Sequence, residues 1–145
     1  MRQGDPLTPF LFSIVAEGLA RLVRQAQKIN LLQGVKVARP NVEVCMLQFV
    51  DDTLFLCEAD YGNVVAIKAI LRCYELASGL KLNFRKSKMA GINVERNSLS
   101  CFTKTLNCTQ MTVPFMYLGM EVGGNPRKKH FWKPIVNKIS NRLNS

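Results

Sequence analysis

Apolar residues at Leu11, Ile14, Val15, Leu19, Leu22, Val23 and Ala26 recur every three to four positions, with Glu17, Arg21, Arg24 and Lys28 between them. That period predicts one amphipathic helix from about Pro9 to Asn30. Thr8 is placed to cap it and Pro9 to open it, because proline's missing N–H is not needed in the first turn. The preceding Gly4-Asp5-Pro6 has loop chemistry. Beyond the helix, Gly34 interrupts the pattern, Val35 to Val37 reads as a short strand and Pro40-Asn41 as a turn. Two β-prone runs follow, Val44 to Val50 and Thr53 to Cys57, parted by Asp51-Asp52 alone. This pattern predicts a two-residue hairpin with paired acids at its tip. A second helix is expected over Asn63 to Ala77, stopped by Ser78-Gly79. Leu80, Leu82 and Phe84 then alternate with polar residues, Lys86 to Lys88 form a basic clip, and Met89 to Val94 looks like a strand. A third helix is expected over Asn97 to Leu106. Val113 to Val122 reads as a strand broken at Gly119, and Gly123-Gly124-Asn125-Pro126 as a loop. A last helix should run from about Lys129, with Trp132, Ile135, Val136, Ile139 and Leu143 on its buried side. The mixture of helices and short strands predicts an α+β fold.

Composition adds a direction. With 145 residues the chain fits one domain, and 48% hydrophobic against 21% charged residues is enough apolar content for a core. Residues 1–80 hold eight Lys/Arg and eight Asp/Glu, whereas residues 81–145 hold twelve against two, so the whole net charge of +10 lies in the C-terminal part. Such asymmetry predicts a polyanionic partner, nucleic acid before membrane. Cys45, Cys57, Cys73, Cys101 and Cys108 form no CxxC pair, and His130 is the only histidine. The set reads as buried thiols in a reducing compartment rather than disulfides or a zinc site. Asp5 spoils the basic leader that a signal peptide would need, and no segment is long enough to span a bilayer, so an intracellular protein is expected.

Asp51-Asp52 suits a tight turn for purely local reasons, since Asp bonds its own backbone. Two neighbouring carboxylates on a stiff hairpin also repel unless a hard cation neutralises them. A magnesium site of the kind used in two-metal phosphoryl transfer is the functional reading.

At that point a family can be recognised. Arg2-Gln3-Gly4-Asp5-Pro6-Leu7-Thr8-Pro9-Phe10-Leu11-Phe12 resembles the RQGDPLSP block of LINE-type non-LTR retrotransposon reverse transcriptases, the plant kind especially. Phe49-Val50-Asp51-Asp52-Thr53 is similar to their F-A-D-D-T hairpin. Ser78-Gly79-Leu80-Lys81-Leu82-Asn83, Lys86-Ser87 and Tyr117-Leu118-Gly119 follow in the family's order. The resemblance implies a reverse transcriptase palm with an antiparallel sheet and packed helices over residues 1–125, running into the start of the thumb over 126–145. It implies an RNA-directed DNA polymerase acting on an RNA template, a DNA primer and deoxynucleoside triphosphates, with two magnesium ions in the intact family and weak or no magnesium binding in this chain. Asp51 and Asp52 would hold the metal. Gln3 and Gly4 would lie against nucleotide and template, Lys86 would face the triphosphate, and Tyr117, Leu118 and Gly119 would grip the primer. Lys128, Lys129 and Lys133 would follow the nucleic-acid backbone. Plainer alternatives stand beside these roles: Lys86 as a solvated lysine, Tyr117 as core, and Trp132 on a buried helix face. Val50 departs from the family's alanine and adds bulk beside the acids. The family's third carboxylate precedes the RQGDP block, so this chain is expected to lack it, with the fingers and the rest of the thumb, and to be inactive alone. A non-catalytic nucleic-acid-binding remnant of a truncated element is the second reading. A nuclear location follows from the resemblance only.

Overall fold

The computed structural model describes residues 7–37, 42–50 and 52–143. Gln3, Gly4, the Gly4-Asp5-Pro6 loop, the Pro40-Asn41 turn and Asp51 lie outside them. The expected α+β class is observed, as four helices and eight short strands among the described residues.

The first helix, α1 (Leu7–Lys28), starts earlier than its capping pattern implied, so Thr8 and Pro9 both sit in its first turn. Its C-terminal half buries Leu19, Val23 and Ala26, one stripe at helical spacing. Its N-terminal half leaves Leu7, Phe10, Leu11, Phe12 and Ile14 open to water. Arg21 and Arg24 pair with Glu17 on the solvent side, contacts that add little stability at such exposure. Beyond the helix, Asn30 takes a left-handed φ of 56°. Leu31 N–H then donates to Ala26 O at 2.8 Å, and the turn drives Leu32 into the core at 1% exposure.

Helix α2 (Tyr61–Ser78) packs against α1 and supplies Ala66, Ile67, Ile70, Leu71 and Tyr74 to the shared core. Asp60 caps it, accepting from the N–H groups of Gly62 (2.7 Å) and Asn63 (3.3 Å). Gly79 closes it at φ 71°, as the Ser78-Gly79 stop predicted. Buried Asn63 accepts from Gln33 N–H at 2.8 Å and donates to Glu58 O at 3.2 Å, tying the helix to the segment after α1. Replacing Asp60 by alanine should lower stability by about 1 kcal/mol in chemical denaturation, since two first-turn N–H groups lose their acceptor. An unchanged midpoint would show that water caps the helix equally well.

Strands β1 (Val35–Val37) and β2 (Val42–Val44) pair antiparallel, as do β3 (Met46–Phe49) and β4 (Asp52–Phe55). The expected single run from Val44 to Val50 therefore divides at Cys45. The cause is a close approach. A Cβ on Gly34 would lie 2.6 Å from both Cys45 Sγ and Val44 O, and Gly34 N–H donates to the Glu43 carboxylate at 2.6 Å. The chain changes partner at that corner. Strand β5 (Lys88–Met89) pairs in parallel with β6 (Thr109–Gln110), and β7 (Phe115–Tyr117) pairs antiparallel with β8 (Met120–Val122). The described strands thus form four two-stranded ladders, and one of them is parallel.

Between these lies α3 (Arg96–Leu106), which packs on α2 through Leu99 and Phe102, with the Phe102 ring 6.5 Å from Tyr61. The expected Met89–Val94 strand stops at Met89, because Gly91 sits against Val94 and Leu99 and Asn93 turns the chain at φ 57°. Leu82 and Phe84 pack on the core as the alternation suggested, yet in an irregular segment. The last helix, α4 (Lys129–Leu143), corrects another expectation: it has no buried residue. Of the five thiols only Cys45 is buried; Cys73 and Cys101 are exposed, and all five are free. Burial, with the Glu43 carboxylate and Cys57 nearby, pushes the Cys45 thiol up to about 11.

Candidate functional site

The β3–β4 hairpin is pinned from one side. Met46 and Phe55, directly opposite each other, pack on the α1–α2 core. Because side chains alternate along a strand, Leu47, Phe49, Asp52 and Leu54 occupy the other face. Asp52 pairs with Phe49, so the connection comprises positions 50 and 51, one residue earlier than the Asp51-Asp52 tip expected from the sequence. Asp52 is consequently the first residue of β4. It is exposed, and among the described residues its carboxylate has no ion-pair or hydrogen-bond partner. Phe49 and Leu47, 58% and 44% exposed, form an apolar surface beside it.

Val50 holds a φ of 52°. A two-residue hairpin connection needs positive φ to match strand twist, but a β-branched residue there is a steric outlier. The strain is on the order of 1–2 kcal/mol. Val50→Gly should raise the free energy of unfolding by about 1 kcal/mol in chemical denaturation, less glycine's entropic cost. A destabilised variant would mean that the Val50 side chain contributes more than its backbone costs. That side chain, with Gln48, lines an open groove of about 660 Å³ against the first half of α1, where Pro9, Phe12, Ser13 and Ala16 form the opposite wall.

Lys86 stands on a separate element whose shape explains the Asn83-x-x-Lys86-Ser87 pattern. Asn83 O accepts from Lys86 N–H (3.0 Å), Ser87 N–H (3.1 Å) and the Ser87 hydroxyl (3.1 Å), while Asn83 Oδ1 accepts from Lys86 N–H at 3.2 Å. Thr109 N–H donates to Ser87 O from the other side at 3.2 Å. Upstream, Leu82 N–H donates to the Glu75 carboxylate at 2.9 Å, which, with Arg72 alongside, holds that carboxyl below its ordinary value. The turn is thus fixed by α2, the core and β6. Asn83, Ser87 and Glu75 were not foreseen as supports, although the first two belong to the motif itself. The Lys86 side chain is exposed.

The Tyr117-Leu118-Gly119 turn forms as expected between β7 and β8, with Leu118 at φ 52° and Gly119 at φ 83°. Tyr117 is half-buried, and its hydroxyl is enclosed without a hydrogen-bond partner among the described residues. A Cβ added to Gly119 would lie 4.0 Å from Lys138 Nζ, so α4 brings a cation to this turn that sequence reading missed. Lys138 follows Phe131 and Ile135 along one helical row, and that row rests on the β7–β8 ladder. Lys128, Lys129 and Lys133 are exposed at the start of α4. Trp132 is 45% exposed, contrary to the buried face expected for it.

Among the described residues no group of three or more His, Cys, Asp or Glu side chains converges, and no helix is long and apolar enough to cross a membrane. The described portion of the hairpin offers one carboxylate, Asp52, exposed and without a neighbouring cation. Such a hard, anionic oxygen donor suits magnesium better than a soft metal.

Comparison with known proteins places this geometry. An uncharacterized mitochondrial protein of Arabidopsis thaliana is 43% identical over 53 residues, a stretch covering 37% of this chain and 43% of that protein. The match therefore spans less than half of the relative's length. No solved structure matches. Residues 1–122 match the family model described as reverse transcriptase (RNA-dependent DNA polymerase). Because that match runs through the hairpin, the Asn83 turn and the Tyr117 turn, the chain belongs to the reverse transcriptase family.

Proposed function

We propose that the chain is palm, over residues 1–125, and the beginning of thumb, over 126–145, of a non-LTR retrotransposon reverse transcriptase. The reading rests on one observation above others: a two-residue hairpin, anchored on the core by Met46 and Phe55, presents Asp52 uncompensated beside an apolar strand face. Asp51 and Asp52 hold magnesium in this reading. When bound, the ions supply Lewis-acid activation of the primer hydroxyl and charge neutralisation at the pyrophosphate. The chain's own residues orient the reactants. Phe49 and Leu47 offer a surface against which sugar and base can lie, and the fixed turn under Lys86 presents an ammonium to the triphosphate of a deoxynucleotide. Gln3 and Gly4 meet the template pair. Tyr117, Leu118 and Gly119, backed by Lys138, steady the primer end, while Lys128, Lys129 and Lys133 neutralise backbone phosphates.

Primer extension on an RNA template tests the reading, using the chain alone and joined behind the fingers and first palm strand of a related enzyme. Magnesium-dependent incorporation by the joined protein, lost in Asp51→Asn, is the expected result. Salt-sensitive RNA binding without extension in either form would favour a non-catalytic binding remnant, a reading motivated by the +10 charge carried by residues 81–145.

A further inference from the structure

The exposed face of α4 carries a more specific meaning. Trp132, Val136, Ile139 and Leu143 fall on one narrow stripe, and all four are open to water. Trp132 is the only tryptophan of the chain. Its ring is held in place rather than free: the indole N–H donates to Pro126 O at 2.8 Å, and the Phe131 ring stands edge-on at 5.1 Å and 78°. The indole is thus fixed at its N–H and beside Phe131, while 45% of the residue stays open to water. Around it, Arg127, Lys128, Lys129, Lys133 and Lys138 outnumber one carboxylate, Glu121, which lies against Gly124 beside the Phe131 ring.

We infer that Trp132 is a stacking platform for an unpaired base of single-stranded nucleic acid whose phosphates are met by Lys128, Lys129 and Lys133. The inference rests on the nucleic-acid role proposed above and adds the strandedness of the ligand and the residue that reads it. Charge decides between occupants. A second copy docking on the stripe would bring its own Lys128, Lys129, Lys133 and Lys138 against these, which like-charge repulsion opposes. An anionic membrane would attract the cations, but the apolar sector is narrow, and the indole N–H that an interfacial tryptophan offers to headgroups already serves Pro126. A single strand satisfies both features, because each nucleotide supplies a phosphate for a lysine and a flat face for an aromatic ring.

The intact chain provides its own reporter, since all tryptophan emission comes from Trp132. Its fluorescence is titrated with a short oligothymidylate, an abasic oligonucleotide of equal length and phosphatidylserine vesicles, at low and high salt. Oligothymidylate should quench the emission saturably, and the abasic strand should bind without comparable quenching. Trp132→Ala, read by anisotropy of labelled strands, should weaken oligothymidylate binding about tenfold and leave the abasic strand unaffected. Trp132→Phe should fall between wild type and alanine. Equal losses on both strands, no loss on either, or a blue shift produced by vesicles or by protein concentration in place of quenching would each overturn the inference. Lys128→Gln/Lys129→Gln/Lys133→Gln separates the two claims. If it weakens both strands while Trp132→Ala changes neither, stacking fails and the backbone role stands; if it too changes nothing, the nucleic-acid role of this segment fails as well.

Discussion

Exchanging Asp51 and Asp52 together for asparagine should abolish the protection against unfolding that magnesium gives when it is held at the hairpin as proposed. A ligand that binds only the folded state stabilises it by RT ln(1 + [L]/Kd), about 2.7 kcal/mol at a hundredfold excess over Kd. In metal-free buffer the double variant should be at least as stable as the wild type. Carboxylates on residues adjacent in sequence repel, and Asp52 has no ion-pair partner among the described residues to offset that repulsion. The two conditions therefore move in opposite directions, which a general loss of fold could not produce. Thermal denaturation with and without magnesium decides it; equal magnesium stabilisation of both proteins would place the ion elsewhere.

Leu32→Ala should lose on the order of 2–5 kcal/mol in urea denaturation, the range for a large buried aliphatic side chain cut to a methyl. At 1% exposure Leu32 is enclosed by the α1–α2 core, where Val23, Ala26, Ile67 and Ile70 also reside. Domain stabilities are typically 5–15 kcal/mol, so this one change can remove a large share of the total. Leu76, 83% exposed on α2, is the matched control. Leu76→Ala should change the free energy of unfolding by no more than about 0.5 kcal/mol. Equal responses at the two sites would contradict the core as described.

The parts of the fold that sequence made legible are those where one local rule acts alone. Helical spacing located α1, α2 and α4, and Ser78-Gly79 marked the end of α2 because glycine tolerates φ 71°. The cap at Asp60 was missed because Tyr61 and Gly62 do not look helical, yet two N–H groups already bond its carboxylate. The hairpin was visible but displaced by one position. The acids seemed the natural turn formers, whereas the register places strained Val50 in the turn and Asp52 in the strand. No sequence signal announces the Gly34 approach to Cys45, since it depends on two segments meeting in space. The stripe on α4 shows the limit of periodicity, which identifies a face suited to burial without showing that anything covers it.

For the site, the motifs fall on a hairpin and two turns that the structure forms, and they said less about the supports of those elements. Lys86 was recognisable, but the carboxylate of Glu75 that fixes the backbone before it belongs to another element. Lys138 reached the Gly119 turn only through the packing of α4 on the β7–β8 ladder. Side chains that act through a tertiary contact leave no local pattern to read.

Manganese titration into uniformly labelled protein, followed by amide NMR, tests the metal-binding hairpin most directly, because the paramagnetic ion broadens signals near its site and leaves distant ones sharp. The account predicts early loss of the amides of Phe49, Val50, Asp52 and Thr53, reversed by excess magnesium and absent in Asp51→Asn/Asp52→Asn. Broadening centred on another carboxylate, such as Glu17 or Glu121, with the hairpin signals intact, would contradict it.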